Sequence, residues 1–205
     1  IYLDITLFIS ITADITGIIR EIESAVIEEV CRAFPGIERD DSLAGTLFNA
    51  SAAAGEKFIM VIDEWDALFR EAKNDAKLQR EYIDLLRSLF KSSWTDRIFE
   101  AAYMTGILPI KRYGTQSAVS DFREYTMLSP GRLVKYIGFT EPEVKALCER
   151  YDMPFEEMKY WYDGYSFSRL KSVYSPNSVM EAIKRDDFGS YWVRTETYES
   201  LKVYI

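Results

Sequence analysis

The acids Asp63, Glu64 and Asp66 follow directly on the unbroken apolar run Phe58-Ile59-Met60-Val61-Ile62. A run of this length, rich in Ile and Val, suits a strand buried on both faces in the middle of a parallel sheet. The acids then stand at the carboxyl end of that strand, the edge at which open α/β sheets bind their ligands. Two adjacent carboxylates there can divide the work of nucleotide hydrolysis, as in a Walker B arrangement. Asp63 would reach a magnesium ion, often through water, and Glu64 would polarise the attacking water. The same residues also read as a helix start. Asp63 is then the N-cap, and Glu64 and Asp66 complement the dipole of the first turn. The local sequence leaves both readings open.

A second polar position follows a second apolar segment. Ile98-Phe99-Glu100-Ala101-Ala102-Tyr103-Met104 reads as a strand closing on Thr105-Gly106. If the two strands are parallel neighbours, Thr105 lines the same cleft as the acids. A hydroxyl there senses a γ-phosphate or holds the catalytic water, the task of a sensor-1 residue. The plainer reading is that Thr105 satisfies loop backbone while Gly106 supplies a positive φ. Lys111 and Arg112 come next, either a cation pair meeting phosphate charge or a solvated surface pair. One signature is missing: nothing in the chain matches Gly-x-x-x-x-Gly-Lys-Ser/Thr, and Ala54-Gly55-Glu56-Lys57 lacks both the first glycine and the hydroxyl residue. Without such a loop a magnesium nucleotide has little to grip its β-phosphate. These 205 residues alone are expected to bind nucleotide weakly or not at all.

Strands and helices must alternate to set these positions side by side. Ile1 to Phe8 reads as a strand. Ile15 to Phe34 carries apolar residues at a helical period, ended by Pro35-Gly36, and Ser42 to Ala54 is a second helix turning at Gly55-Glu56-Lys57. Ala67 to Trp94 reads as two helices joined around Lys73-Asn74-Asp75, the second with Tyr82, Leu85, Leu86, Leu89 and Phe90 on one stripe. This alternation predicts βαβ units and a parallel sheet covered by helices. From about Leu128 the pattern changes to short helices with marked starts: a capping box with proline at Thr140-Glu141-Pro142-Glu143, and caps at Asp152-Met153-Pro154 and Ser175-Pro176. Tyr160 to Phe167 is read as a dense aromatic loop, with Asp163-Gly164 as a tight turn. It could stack bases, but with few basic neighbours it is expected to be core. A boundary near Pro130-Gly131 divides the chain into residues 1–129 and 130–205.

Composition narrows the function classes. Hydrophobic residues make up 48% of the chain and charged residues 28%, an ordinary globular balance. The net charge of −8 argues against a broad nucleic-acid or anionic-membrane surface. The chain has no histidine, which removes Ser-His-Asp and Cys-His catalysis and the usual zinc ligand sets. Its two cysteines, Cys31 and Cys148, are expected as small core residues in a reducing cytoplasm. No segment approaches the roughly 18 uninterrupted apolar residues of a membrane span, and no basic leader marks a signal peptide. Opening on Ile within an apparent strand, the chain is expected to be part of a longer protein.

An ordered series of motifs makes a family resemblance specific: Ile62-Asp63-Glu64-Trp65-Asp66, Met104-Thr105-Gly106-Ile107-Leu108-Pro109-Ile110, Gly138-Phe139-Thr140-Glu141-Pro142-Glu143-Val144, Trp161-Tyr162-Asp163-Gly164-Tyr165-Ser166-Phe167 and Tyr174-Ser175-Pro176-Asn177-Ser178-Val179. The chain resembles the bacterial AAA-ATPase-like family, related to archaeal-type and STAND P-loop ATPases. The resemblance implies an α/β fold: a P-loop NTPase-type parallel sheet flanked by helices, truncated at its N-terminus with the P-loop absent, then a small mainly helical C-terminal lid or winged-helix-like domain. It implies Asp63 as magnesium ligand, Glu64 as catalytic base or water-positioning residue, and Thr105 as the sensor-1 residue contacting nucleotide. ATP and Mg are the implied ligands of the full-length protein, with a PD-(D/E)xK nuclease-like domain often in cis, a cytoplasmic location and an oligomer among the family's options. The family usually has Tyr where this chain has Trp65. The rival reading is a degenerate NTPase-fold scaffold or interaction module in which the acids do no chemistry.

Overall fold

In a computed structural model, residues 1–12, 14–108, 122–167 and 170–194 are described. The chain divides into two units, Ile1–Arg123 and Glu124–Ile205. Lys111 and Arg112 lie outside the described residues, as do Pro109 and Ile110 and residues 195–205.

The first unit is built on three parallel strands in the order β1-β2-β3, with β1 at Tyr2–Asp4, β2 at Phe58–Asp63 and β3 at Phe99–Met104. Register pairs Asp4 with Asp63 and Ile62 with Met104, so the three strands finish together at one edge. Ile1 to Phe8 is not one strand. Asp4 ends β1 and caps helix α1 (Ile5–Ile11), its carboxylate accepting the Leu7 N–H at 2.9 Å. Ile5, Phe8 and Ile9, spaced three and four apart, turn to the core, which is a helical and not an alternating pattern.

The 3-10 turn Ile15–Gly17 leads into helix α2 (Ile18–Ala33), and α3 spans Leu43–Ala54. Ser42 caps α3, accepting from Gly45 N, and Gly55 ends it at φ 69°, a left-handed C-terminal position suited to glycine. Helices α4 (Ala67–Glu71) and α5 (Ala76–Phe90) are joined across Lys73-Asn74-Asp75, and a short α6 (Thr95–Ile98) leads into β3. Tyr82, Leu85, Leu86, Leu89 and Phe90 on α5 are all buried, as their spacing predicts, and join Leu3, Met60, Ile62 and residues of α2 and α3 in one core.

That core lies on one face of the sheet. Along β2, Met60 and Ile62 are buried, but Ile59 is 58% exposed; across the same open face Tyr2 and Tyr103 are 61% and 55% exposed. The expectation of a strand buried on both faces is therefore corrected. The apolar run is continuous, yet the described helices cover only the side carrying Leu3, Met60 and Ile62.

In the second unit, β4 (Phe139–Thr140), β6 (Leu170–Tyr174) and β5 (Asp163–Phe167) form an antiparallel sheet in the order β4-β6-β5, beside helices α7 (Glu141–Tyr151), α8 (Phe155–Tyr162) and α9 (Pro176–Arg185). The capping box at Thr140 and Glu143 forms, and Ser175 caps α9. Asp152 does not start a helix. It ends α7 in a left-handed conformation, and Pro154 precedes α8 without a side-chain cap. The aromatic stretch from Tyr160 is not a loop but the last turn of α8 followed by β5, and Asp163-Gly164 opens that strand. Tyr162 is core, its hydroxyl donating to the Gly189 carbonyl at 3.0 Å, whereas Tyr160 is exposed. Cys31 and Cys148 are free thiols. Among the described residues no helix is long and apolar enough to cross a membrane.

The two faces of β2 differ in cost. Ile62→Ala is expected to lose about 2–5 kcal/mol of unfolding free energy, and Ile59→Ala about 1 kcal/mol or less. Urea denaturation of the 205-residue chain compares them, and equal losses would contradict one-sided packing.

Candidate functional site

Parallel pairing delivers Asp63, the last residue of β2, and Thr105, the first after β3, to the same edge. The Thr105 hydroxyl donates to Asp63 Oδ1 and accepts the Glu64 N–H at 3.3 Å. Backbone bonds close the arrangement: Thr105 N–H to the Ile62 carbonyl and Trp65 N–H to the Thr105 carbonyl, both 2.9 Å. Thr105 thus satisfies loop backbone and binds an acid at once. The other Asp63 oxygen, Oδ2, accepts the Tyr2 hydroxyl at 2.9 Å from β1. Asp63 caps no helix, since α4 begins only at Ala67.

Glu64 leaves the strand at φ 52°, a left-handed backbone unusual for a residue with a side chain. Such a conformation costs on the order of 1–3 kcal/mol and persists where its surroundings over-determine it. Here the two Thr105 bonds do so, and the Glu64 carbonyl accepts Ala67 N–H at 2.8 Å to start the next turn.

Asp66 is fully buried. Its oxygens accept the N–H groups of Ile107 at 3.2 Å and Leu108 at 2.9 Å, and Arg70 Nε lies 3.3 Å from Oδ2. Arg70 Nη2 donates to Glu64 Oε2. Gly106 is not needed for a positive φ, which among the described glycines falls to Gly36, Gly55 and Gly131. It is needed for space: a Cβ there would stand 2.5 Å from Asp66 Oδ1 and 2.6 Å from the buried Trp65 ring.

The adjacent carboxyls are pushed in opposite directions. Hydrogen bonds from Thr105, then Tyr2, hold Asp63 below the usual carboxylate range. Burial pushes Glu64 up; the Arg70 charge opposes this, and Asp66, Asp63 and Asp4 add to it. Asp63 is therefore suited to stay ionised beside a cation, and Glu64 to take a proton. Among the described residues no cluster of three or more His, Cys, Asp or Glu could cage a metal. Magnesium needs no such cage, because one or two carboxylates, water and substrate phosphates commonly complete its shell. A single half-buried Asp63, held below the usual carboxylate range, fits that mode. Sequence reasoning missed Tyr2, Asp4 and Arg70. Asp4 before an Ile-Thr-Leu-Phe segment was the available cap signal; Tyr2 and Arg70 have no local signal, since their roles exist only through cross-strand pairing and packing.

These features define an α/β protein with a polar, acidic edge at the carboxyl ends of a parallel sheet. Residues 5–115 match the family described as "Predicted AAA-ATPase", and the chain belongs to this AAA-ATPase-like family. The chain is also similar to a protein of Azotobacter chroococcum mcd 1 named "Uncharacterized protein in vnfD 5'region", with 26% identity over 151 residues, 72% of this chain and 29% of that protein. It thus spans less than a third of that relative's length. No solved structure matches.

Two substitutions probe the geometry. Thr105→Val is expected to raise the Asp63 carboxyl toward its ordinary value, read by carbon-detected NMR titration. The folded value lies below the unfolded one of about 3.9. The stability Asp63 contributes is therefore present above that value and lost as pH falls through the folded one, and the variant should flatten this dependence. Asp66→Ala leaves two backbone N–H groups without their acceptor and takes from Arg70 one of the two carboxylates it faces, for an expected loss of about 3–5 kcal/mol in urea denaturation.

Proposed function

We propose that this chain carries the hydrolytic edge of a P-loop NTPase-type ATPase, with Asp63 in the Walker B magnesium-binding role, Glu64 as catalytic base and Thr105 as the sensor-1 residue. The observation that carries the reading is the Thr105 hydroxyl donating to Asp63 across two parallel strand ends, with Glu64 bonded to the same hydroxyl. Magnesium, when bound with ATP, supplies charge neutralisation at the phosphates. The protein groups do the rest. Thr105 and Tyr2 hold the Asp63 carboxylate, which would bind the cation, and Glu64, raised in basicity by burial, would accept a proton from the attacking water.

On this reading the glycine-rich loop lies in chain beyond these residues, and the open sheet face supports that extension, because all-parallel sheets are ordinarily covered on both sides. The second unit would serve as a lid or winged-helix-like domain. A relation to archaeal-type and STAND ATPases, a nuclease-like domain in cis, oligomerisation and a cytoplasmic location belong to the same proposal. A scaffold without catalysis is the second reading, favoured by the absence of any Gly-x-x-x-x-Gly-Lys-Ser/Thr segment in the sequence.

In the complete protein, Glu64→Gln is expected to abolish ATP hydrolysis while sparing nucleotide binding, measured by phosphate release beside equilibrium binding. Turnover retained within a few-fold of wild type overturns the role of Glu64. Loss of both binding and turnover in the wild type favours the scaffold.

A further inference from the structure

Arg70 faces two acids at this edge, Glu64 and Asp66. Its side chain is 15% exposed, on α4. Nε faces Asp66 Oδ2 at 3.3 Å and Nη2 donates to Glu64 Oε2. Asp66 does not move freely, since it is buried and held by the N–H groups of Ile107 and Leu108. One end of the guanidinium thus lies within ion-pair distance of Asp66, which the loop after β3 holds, and the other donates to Glu64.

Glu64 is consequently held at two places. Its backbone is set by Thr105 at φ 52°, and its carboxylate tip is held by Arg70. We propose that Arg70 is the positioning residue for Glu64, orienting one oxygen by a guanidinium anchored on buried Asp66 so that Oε1 is turned to the attacking water. This rests on the ATPase reading of Glu64. An exposed ion pair would contribute little and order little. A planar fork with one arm fixed gives direction as well as charge, and the point charge of lysine cannot reproduce that geometry.

The test compares Arg70→Lys with Glu64→Gln in the complete protein and follows the pair directly in the 205-residue chain. With ATP and magnesium, Arg70→Lys is expected to lower kcat about tenfold or more with KM for ATP within about twofold, the loss produced by a small misplacement of a reacting group. In the 205-residue chain, resolved and slowly exchanging Arg70 Nη–H signals are expected by nitrogen-proton NMR, collapsing in Glu64→Gln. A lowered Tm with unchanged kcat assigns Arg70 to the support of Asp66 alone and overturns the inference. So does a rise in KM with unchanged kcat, or Arg70 signals indifferent to Glu64→Gln. A Glu64→Gln variant that still turns over fails the ATPase reading instead, whatever Arg70→Lys does.

Discussion

Asp66 has no contact with water, and the carboxyl edge of the parallel sheet is arranged around that fact. A buried carboxylate is tolerable only when its charge and lone pairs are met. Here they are met from two directions: by Ile107 and Leu108 on the loop leaving β3, and by Arg70 one turn along α4. The Asp66 side chain thus fastens the chain leaving β2 to the chain leaving β3, beside the bonds that Glu64 and Trp65 make to Thr105. Gly106 has no side chain because Asp66 and the Trp65 ring occupy the space one would need. The left-handed turn at Glu64 follows from the same fastening, since the backbone must swing from the strand into α4 while Thr105 holds its N–H.

Around this anchor, neighbouring groups of one chemical type acquire different characters. Asp63 faces donors on both oxygens and stays a ready anion; Glu64, one residue on, sits among carboxylates in a drier setting and gains basicity. Neither property belongs to the residue type. Asp4 reaches the edge because β1 stops in register with β2, and it adds negative potential while capping α1. The sheet's two faces are likewise unequal, with a packed aliphatic side and an open side bearing Tyr2, Ile59 and Tyr103.

What could be read from the sequence divides along the range of the interactions involved. The helices α2, α3 and α5, the capping box at Thr140 and the cap at Ser175 depend on residues within a few positions of one another, and their signals are local. The acidic end of β2 and the hydroxyl after β3 were legible as candidates, because strand-then-polar patterns are visible in one dimension. The apolar run of β2 misled on burial: a strand rich in Ile and Val looks the same whether one or both faces are covered. The first eight residues misled because a three-residue strand ends at a cap, and β-branched residues then continue into a helix against their propensity, held by burial of Ile5. The aromatic stretch near Tyr162 looked like a loop because its glycine outweighed its helical spacing. Arg70 and Tyr2 were invisible, since nothing in their own neighbourhoods indicates which distant carboxylate they meet.

The bonds that assemble this edge span long stretches of chain: 42 positions from Thr105 to Asp63, 42 from Leu108 to Asp66, and 61 from Tyr2 to Asp63. Closing loops of this size costs entropy that only completed parallel pairing returns. The full set of bonds at the polar edge consequently needs all three strands, although β1 and β2 alone already bring Tyr2 to Asp63. A chain emerging during synthesis can complete β1 and β2 and bury much of α2 and α3, yet the set stays incomplete until β3 and the loop beyond it are in place. The complete arrangement of this edge is in that sense a cooperative property of the first unit, since it needs both strand ends and the loop after β3 together.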